Sequence, residues 1–336
     1  MSALWNTIST GGGRHQQPTY VTKHVNVVAP FTSSDCAGHE AYKYKGGHQR
    51  AAYVFSHFGS CSLRQKAQLL TGITLLQRTQ PQFPIAVMLS PSCWQNASFR
   101  ALLRSETISP LCVPRLSNIS CHGPLQRGDF FSEHWTKLNL FNLTGLRAAF
   151  YLDSDLVVRR SLDHVLRGLL NAPRLQEART PQGCLGADAV STYFNTGVWA
   201  IKPSSSSYDR FISWLRRGSS NCWDGDQSAA MGFWRLHGQG GRRDHEVMHL
   251  HVGYNMKADQ GPVRCLHVRG LNESQLHVVH FSGREKPYNS QPNKDSLWRG
   301  SRLEFVDAFD SWARRLGVST CTKGQMMSNE GCKRRL

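Results

Sequence analysis

The sequence lacks any apolar run of about eighteen residues, the length that marks a candidate membrane-spanning helix. Its ten cysteines include no C-x-x-C pair, which argues against a zinc ribbon or a thioredoxin-like redox motif. Residues 1–30 lack the apolar core of a secretory signal peptide. Apolar residues still make up 40% of the 336, enough for one large α/β domain or two ordinary ones.

Acidic residues are scarce: 23 Asp and Glu stand against 40 Lys and Arg, which gives a formal net charge of +17. Such a balance favours polyanionic partners, whether nucleic acid, anionic membrane or phosphorylated small molecules. The basic residues are scattered, and no nucleic-acid-binding motif is present. We therefore expect a solvated basic surface and no nucleic-acid partner. The competing hypothesis, a basic nucleic-acid-binding protein, predicts binding with a steep salt dependence.

Localisation stays open at this point. An even number of cysteines and four N-x-[ST] sequons, at Asn96, Asn118, Asn142 and Asn272, favour a secretory lumen such as the Golgi. Residues 1–34 contain no acidic residue, which loosely resembles an organelle transit peptide, and a cytoplasmic location is the third alternative. The disulfide state and the oligomeric state are equally open.

Alternating apolar segments predict the fold class. A strand over 51–56, a helix over 64–77 and a strand over 84–89 form a β-α-β opening, which is typical of parallel sheets. Further helices are predicted over 94–104, 132–143, 162–170 (capped by Ser161), 208–217, 224–234 and 296–316, and further strands over 147–152, 193–201 and 275–281. The pattern indicates one doubly wound α/β domain over 51–318 with a mostly parallel sheet, preceded by an extension, disordered or targeting, over 1–50 and followed by a basic tail over 319–336.

Two aspartates, Asp153 and Asp155, directly follow the apolar strand at 147–152, and a second apolar run begins at Leu156. In open α/β sheets, ligands bind beyond the carboxyl ends of the strands. Paired carboxylates there suit Mg²⁺ or Mn²⁺. The alternative is a turn with two capping aspartates.

Further motifs surround this pair in order. They are T-K-L at 136–138, F-N-T-G at 194–197, D-G-D-Q at 224–227, Y-N at 254–255 and H-F-S-G-R-E-K-P-Y at 280–288. With D-S-D at 153–155, the set resembles the glycogenin-like retaining glycosyltransferases (glycosyltransferase family 8), whose relatives include galactinol synthases and plant glucuronosyltransferases. The resemblance covers about residues 51–290 and implies a single GT-A-type nucleotide-diphospho-sugar transferase domain.

The resemblance implies a metal site and a donor site. Asp153, Asp155 and His280 would bind Mn²⁺, or Mg²⁺ instead. Gly283 would let the backbone approach the diphosphate, and Lys286 would neutralise it. The remaining implied donor contacts are Val54 beneath the base, Ser154 within D-S-D, and Lys137, Asp188, Asn195, Asp226 and Gln227 around the sugar and phosphates.

Catalysis is implied for Lys137, Asp226 and Gln227, with Asp226 or Gln227 nearest the reacting carbon. The implied reaction moves a hexosyl group, with retention, from a UDP-sugar to a carbohydrate, polyol or protein; UDP-glucose and UDP-galactose are the expected donors. The acceptor would enter on the face that the leaving phosphate vacates, and Asp226 as a covalent nucleophile is the alternative mechanism. The alternative function is a catalytically inactive GT-A-fold protein that binds nucleotide or carbohydrate.

Four features depart from simple expectations. H-E-V-M-H at 245–249 matches a zinc-peptidase pattern, but its neighbours do not extend a helix. H-F-G at 57–59 replaces the threonine-rich sequence usual in the family. Residues 256–262 lack the tyrosine that glycogenin glucosylates, so self-glucosylation is in doubt. D-G-D-Q has one glycine fewer than the common family form, which puts the position of the sugar pocket in doubt.

Overall fold

The computed structural model describes residues 36, 51–59, 61–116, 119, 121–122, 135–181, 194–218, 220–221, 225–237, 246–258, 273–282 and 296–318. The strands are β1 (Ala51–His57), β2 (Ile85–Leu89), β3 (Ser109–Cys112), β4 (Cys121–His122), β5 (Ala148–Leu152), β6 (Leu156–Val158), β7 (Leu175–Pro181), β8 (Phe194–Ile201), β9 (Ser220–Asn221), β10 (Glu246–His249), β11 (Met256–Lys257) and β12 (Val278–His280).

The helices are α1 (Leu63–Gln77), α2 (Pro91–Trp94), α3 (Ala97–Ser105), α4 (Asp163–Asn171), α5 (Ser205–Arg216), α6 (Asp226–His237) and α7 (Ser296–Arg315). Within the described ranges, 3-10 helices span Trp135–Asn142, Val252–Tyr254 and Glu273–Gln275. Of the helices within the described ranges, none combines the length and apolar character needed to cross a bilayer.

A seven-stranded sheet with the order β10-β7-β8-β5-β1-β2-β3 organises the chain. Strands β5, β1, β2 and β3 run parallel, and β8 is antiparallel to both of its neighbours. Strands β1 and β5 are mostly apolar, as expected for strands with both faces covered. On β1, Tyr53 and Phe55 lie in the core under α1, whereas Ala52 and Val54 lie in the core on the opposite face.

A small sheet with the order β11-β12-β6 contains β6, the strand that follows β5 in the chain. Strand β12 is antiparallel to β6 and places His280 opposite Leu156. The two aspartates lie between β5 and β6, where the chain passes from the large sheet to the small one. This crossing puts them beside the end of β12.

The predicted fold class is confirmed: the chain is α/β, with a large and mostly parallel sheet. Three predicted elements differ most clearly in extent or type. The helix at 94–104 is broken because the Asn96 side chain caps α3 through the amide of Phe99 (2.9 Å). Trp135–Asn142 is 3-10, and there the Asn139 amide donates to the Thr136 carbonyl (2.9 Å). The late strand is shortened to Val278–His280 because a 3-10 helix precedes it.

The cap of α4 also differs slightly. The helix begins at Asp163, and its N-cap is Leu162 rather than Ser161, although the Ser161 hydroxyl still accepts from the Asp163 amide (3.3 Å). Near the start of the chain, Cys36 is buried and forms a disulfide with Cys112 at the end of β3. This position of the predicted N-terminal extension therefore packs against the domain. The rest of 1–50, and 319–336, lie outside the described residues.

Candidate active site

Three side chains that favour metal ions meet where the two sheets join. Asp153 directly follows β5, and its amide donates to the Gly197 carbonyl of β8 (2.8 Å). Asp155 directly precedes β6, and its carbonyl accepts from the Phe281 amide just after β12 (2.9 Å). His280 closes β12. Backbone hydrogen bonds from three strands therefore fix the positions of all three side chains.

The ligand atoms of these side chains lie within 4.8 Å of one another. His280 Nε2 is 3.3 Å from Asp155 Oδ1 and 3.8 Å from Asp153 Oδ2. The side chain of His280 is 2% exposed and that of Asp155 8%, whereas that of Asp153 is 29% exposed. The three-residue group is therefore accessible to solvent mainly at Asp153.

Hydrogen bonding fixes the tautomer of His280. The Asn255 side-chain amide donates to Thr180 Oγ1 (2.9 Å) and Asn195 Oδ1 (2.8 Å), which leaves Asn255 Oδ1 as an acceptor. His280 Nδ1, 2.9 Å from that oxygen, is then the donor. In the neutral ring, Nε2 carries the lone pair and faces two carboxylates. That arrangement suits a cation held among the three groups, so the residues fit a divalent metal ion.

A buried amide network extends from this group toward α6. Asn195 on β8 donates from its amide to Gln227 Oε1 (2.7 Å), and its own Oδ1 accepts from the Gly197 backbone (2.9 Å). Thr196 donates to Asp226 Oδ2 (2.7 Å). The first turn of α6 is thereby linked to the strand beside the aspartates.

Gly197 is required at its position by space. A Cβ there would overlap the His280 ring and would lie 2.5 Å from Asp153 Oδ2. Such a contact is shorter than real Cβ atoms show. The glycine of F-N-T-G thus makes room for the acidic and imidazole side chains.

Lys137, on the 3-10 helix Trp135–Asn142, joins the two acidic parts of the site. Its Nζ lies 3.2 Å from Asp153 Oδ1 and 3.0 Å from Asp226 Oδ2, and it sits 4.8 Å from the centre of the Tyr151 ring. Burial alone would lower the pKa of Lys137, but the Asp153 and Asp226 carboxylates raise it well above its ordinary value. The ammonium therefore stays charged at neutral pH.

Tyr151 on β5 orients the Asp153 side chain through a hydrogen bond. Its hydroxyl donates to Asp153 Oδ1 (2.8 Å) and lies 2.6 Å from Ser56 Oγ on β1. Burial and the Asp153 charge raise the pKa of Tyr151 well above its usual value, so the phenol stays protonated and remains a donor.

The structure brings six of the residues predicted for the site into one region: Lys137, Asp153, Asp155, Asn195, Asp226 and His280. Gln227 joins them through Asn195. Ser154 faces α1, where its hydroxyl accepts from the Gln68 amide (3.0 Å). Val54 is fully buried in β1. Asp188, Gly283 and Lys286 lie outside the described residues.

The functional candidates without a predicted role are Asn255, Tyr151, Thr196 and Gly197. Asn255, Thr196 and Gly197 belong to motifs already visible in the sequence, but a motif does not reveal which side chain supports another. Tyr151 lies two residues before Asp153, on the same side of the strand, and this spacing was the available signal.

The zinc-peptidase pattern fails structurally. Glu246–His249 forms β10 at the edge of the large sheet, paired with β7. The chemistry of H-E-x-x-H requires two histidines one helical turn apart. His245 lies outside the described residues, and the strand over Glu246–His249 is not the helix that this chemistry needs.

Profiles of known protein families give no match. The chain is 25% identical over 209 residues to the glycogenin of Neurospora crassa; this alignment covers 61% of the chain and 27% of that protein. The chain is therefore similar in sequence to a glycogenin over 61% of its length. It thus spans well under half of the length of this relative, and the predicted resemblance is confirmed.

Solved structures show the same fold. The apo glycosyltransferase GlyE of Streptococcus pneumoniae has a TM-score of 0.52 at 18% identity, covering 80% of this chain and 64% of GlyE. An active-site mutant of LgtC has a TM-score of 0.53 at 14% identity, covering 82% of this chain and 98% of LgtC. At these identities the likeness establishes the GT-A fold alone.

Proposed function

We propose that this chain is a metal-dependent glycosyltransferase that moves a hexosyl group from a UDP-sugar to an acceptor with retention. UDP-glucose and UDP-galactose are the donors we expect. The observation that carries the proposal is the convergence of Asp153, Asp155 and His280, with the lone pair of His280 directed at both carboxylates. The homology with glycogenin supports the same conclusion.

Asp153, Asp155 and His280 would hold Mn²⁺ or Mg²⁺. When bound, such an ion supplies Lewis-acid stabilisation of the charge that develops on a departing diphosphate. Asp153 is the most exposed of the three side chains and therefore faces the side from which a donor can approach.

Lys137 acts in this proposal through its charge. Its raised pKa excludes it as a general base at neutral pH, since a base must first lose its proton. A fixed ammonium beside the metal-binding carboxylates offers electrostatic stabilisation to the donor phosphates. It also holds Asp153 and Asp226 at a fixed separation.

Asp226 suits a role in binding sugar hydroxyls. Its carboxylate is buried, paired with Lys137 at 3.0 Å and hydrogen-bonded to Thr196 at 2.7 Å. These contacts disperse its charge, which weakens it as a covalent nucleophile. Asn195 and Gln227, bonded to each other, complete a rigid polar platform next to it. This arrangement favours entry of the acceptor on the face that the leaving phosphate vacates.

The remaining donor contacts complete the proposal. Ser154, at the turn between the aspartates, and the strand around Val54 would border the nucleotide. Asp188 would bind the sugar, while Gly283 and Lys286 would bind the diphosphate. We propose a separate carbohydrate, polyol or protein acceptor, because residues 256–262 contain no tyrosine.

UDP release tests the function directly. The chain is stripped of metal and incubated with a panel of UDP-sugars in the presence of Mn²⁺ or chelator. Asp155→Ala is compared with Asp209→Asn, a matched loss of an exposed carboxylate on α5. We expect Mn²⁺-dependent turnover in the wild type and in Asp209→Asn, and its loss in Asp155→Ala.

Turnover that survives Asp155→Ala would refute the metal assignment. Mn²⁺-dependent UDP binding without turnover of any donor would instead support the alternative, an inactive nucleotide-binding protein. Mass spectrometry of the chain after incubation with donor separates self-glycosylation from transfer to an added acceptor.

A further inference from the structure

A second group of metal-ligating side chains lies at the same edge of the sheet. His57 is the last residue of β1, and Cys93 lies in α2, immediately after β2. Strands β1 and β2 are adjacent, and His57 stands opposite Leu89. Cys61 follows His57 by four positions, just ahead of α1. These three residues are called the thiol cluster below.

The thiol cluster is compact and incomplete in its hydrogen bonding. One ligand atom from each residue lies within 4.8 Å of the other two. His57 is only 5% exposed, yet its Nε2 is buried and has no hydrogen-bond partner. Cys93 is buried, Cys61 is half-buried, and both are free thiols. Buried nitrogen atoms normally have partners, so this one calls for an explanation.

The surrounding backbone holds the cluster together. The Ser90 amide donates to the His57 carbonyl (3.1 Å), and Ser92 Oγ donates to the Gly59 carbonyl (2.9 Å). These bonds join the segments that follow β1 and β2. Cys61 has a φ of 52°, in the left-handed region that residues with a Cβ rarely occupy. The fold thus keeps Cys61 beside His57 and Cys93 in spite of an unfavourable backbone conformation.

We propose that His57, Cys61 and Cys93 form a binding site for a thiophilic divalent cation, zinc being the best match. A site with two thiolates and one imidazole binds zinc in preference to Mn²⁺ or Mg²⁺. Three protein ligands leave a fourth tetrahedral position for water. Binding of the cation through His57 Nε2 would also give that buried nitrogen a partner.

Zinc at this place would fasten two loops of the sheet edge. It would tie the segment after β1 to the start of α2, next to the strand that carries Val54 and Ser56. The inference is independent of the proposed transferase activity, because it rests on different residues and its test does not measure turnover. A disulfide between Cys61 and Cys93 is the competing fate of the two thiols, and it would leave His57 Nε2 without a partner.

Cobalt spectroscopy tests the proposal. The full chain is isolated under reducing conditions, stripped of metal and titrated with Co²⁺, which gives thiolate-to-metal charge-transfer absorption only when sulfur is bound. We expect a saturable charge-transfer band whose intensity corresponds to one sulfur-bound Co²⁺ per chain and which Zn²⁺ displaces. Cys61→Ser should lose most of the band. His57→Asn should weaken Co²⁺ affinity about 100-fold or more, since even losing a supporting partner of a ligand costs about 10–100-fold.

Two controls make the result specific. Asp155→Ala should keep the full charge-transfer band, because its cation site has no sulfur ligand. Cys332→Ser, which replaces a cysteine far from the cluster in the sequence, should keep it as well. If Cys61→Ser does not fold, as judged by thermal unfolding in chelator, Cys93→Ala gives the same readout. A band unchanged in these cluster variants, no band in the reduced protein, or a Cys61–Cys93 disulfide in peptide maps of protein isolated without oxidant would each overturn the proposal.

Discussion

Two clusters at one edge of the sheet differ in the chemistry of their ligands. Asp153, Asp155 and His280 offer two carboxylates and one imidazole. The thiol cluster offers two thiols and one imidazole. Oxygen-rich groups suit Mn²⁺ and Mg²⁺, whereas sulfur suits zinc. The same strand edge therefore presents two sites of opposite preference.

The surroundings of the two histidines sharpen the contrast. His280 is oriented by Asn255, which is itself bonded to Asn195 and Thr180. His57 contacts the ring of Phe99 edge-on at 5.7 Å, and its Nε2 has no partner. The first imidazole is supported by a polar network, as catalytic ligands usually are. The second is packed in an apolar setting, which suits a ligand with a structural role.

The largest effect is expected when one variant in each cluster is tested for both turnover and stabilisation by zinc. Asp155→Ala should lower turnover about a thousandfold or more, because it removes the charge stabilisation that the cation gives the leaving diphosphate. The same variant should still be stabilised by zinc like the wild type. Zinc at about 100 times its Kd adds about 2.7 kcal/mol to the free energy of unfolding. Calorimetry with and without zinc measures this gain.

Cys61→Ser is the reciprocal variant. It should unfold at the same temperature with zinc as with chelator. A zinc-dependent rise in Tm that is equal in Cys61→Ser and the wild type would show that the two clusters do not divide metals as we propose.

The second effect concerns the charge beside the oxygen-rich cluster. Lys137→Met should lower kcat by about 10²–10³, the cost of removing one preorganised donor. Because Asp153 and Asp226 raise the pKa of Lys137, its ion pairs stabilise the fold fully below the ordinary lysine pKa of about 10.4 and are lost only as pH rises through the higher native value. The pH profile of kcat should therefore show no lysine ionisation near neutrality.

Lys202→Met is the matched control for this variant. Lys202 is less buried than Lys137, and its Nζ donates to the carbonyls of Ala172 (2.7 Å) and Pro173 (3.2 Å), away from the acidic residues of the site. Equal losses of kcat in the two variants would mean that Lys137 acts only through the stability of the fold.

The oxygen-rich cluster was largely predictable from the sequence, whereas the thiol cluster was not. Asp153 and Asp155 stand in one motif at the end of an apolar strand, so that their proximity follows from local geometry. His280 could be added only through the family resemblance. The thiol cluster joins residues from two loops, and its spacings match no C-x-x-C signature. Only the parallel pairing of β1 with β2 brings Cys93 to His57.

The strands of the large sheet were also only partly predictable from the sequence. The apolar strands β1, β2 and β5 were predicted, but β7 was missed. It contains Glu177 and Arg179, which form a buried ion pair at 2.8 Å, and Glu177 also accepts from the Trp199 indole (3.2 Å). Because the sequence does not show that these two charged residues pair in the folded state, their segment resembles a loop. The antiparallel direction of β8 likewise depends on tertiary contacts that local patterns do not encode.

A third, smaller effect is expected from the network behind His280. Asn255→Ala removes the acceptor that fixes the ring, and loss of such a partner typically lowers metal affinity about 10–100-fold. Mn²⁺ binding measured by electron paramagnetic resonance reports this directly. Charge-transfer absorption of the Co²⁺-bound thiol cluster should be unchanged. Unaltered Mn²⁺ affinity with a lower Tm in chelator would assign Asn255 to stability alone.

The smallest effect concerns the packing of the thiol cluster. Asn96 caps α3 through the Phe99 amide, and the Phe99 ring lies against His57. Asn96→Ala should cost about 1 kcal/mol of stability through the lost cap. Ser98→Ala, which removes a hydroxyl that donates to Asn96 Oδ1 on the exposed surface, should cost less. Because the Phe99 ring of α3 packs against His57, Asn96→Ala should weaken zinc binding slightly and leave Mn²⁺-dependent turnover as it was. A fall in turnover as large as the fall in zinc affinity would mean that the two clusters are mechanically coupled through β1 and β5. The two clusters would then behave as one site.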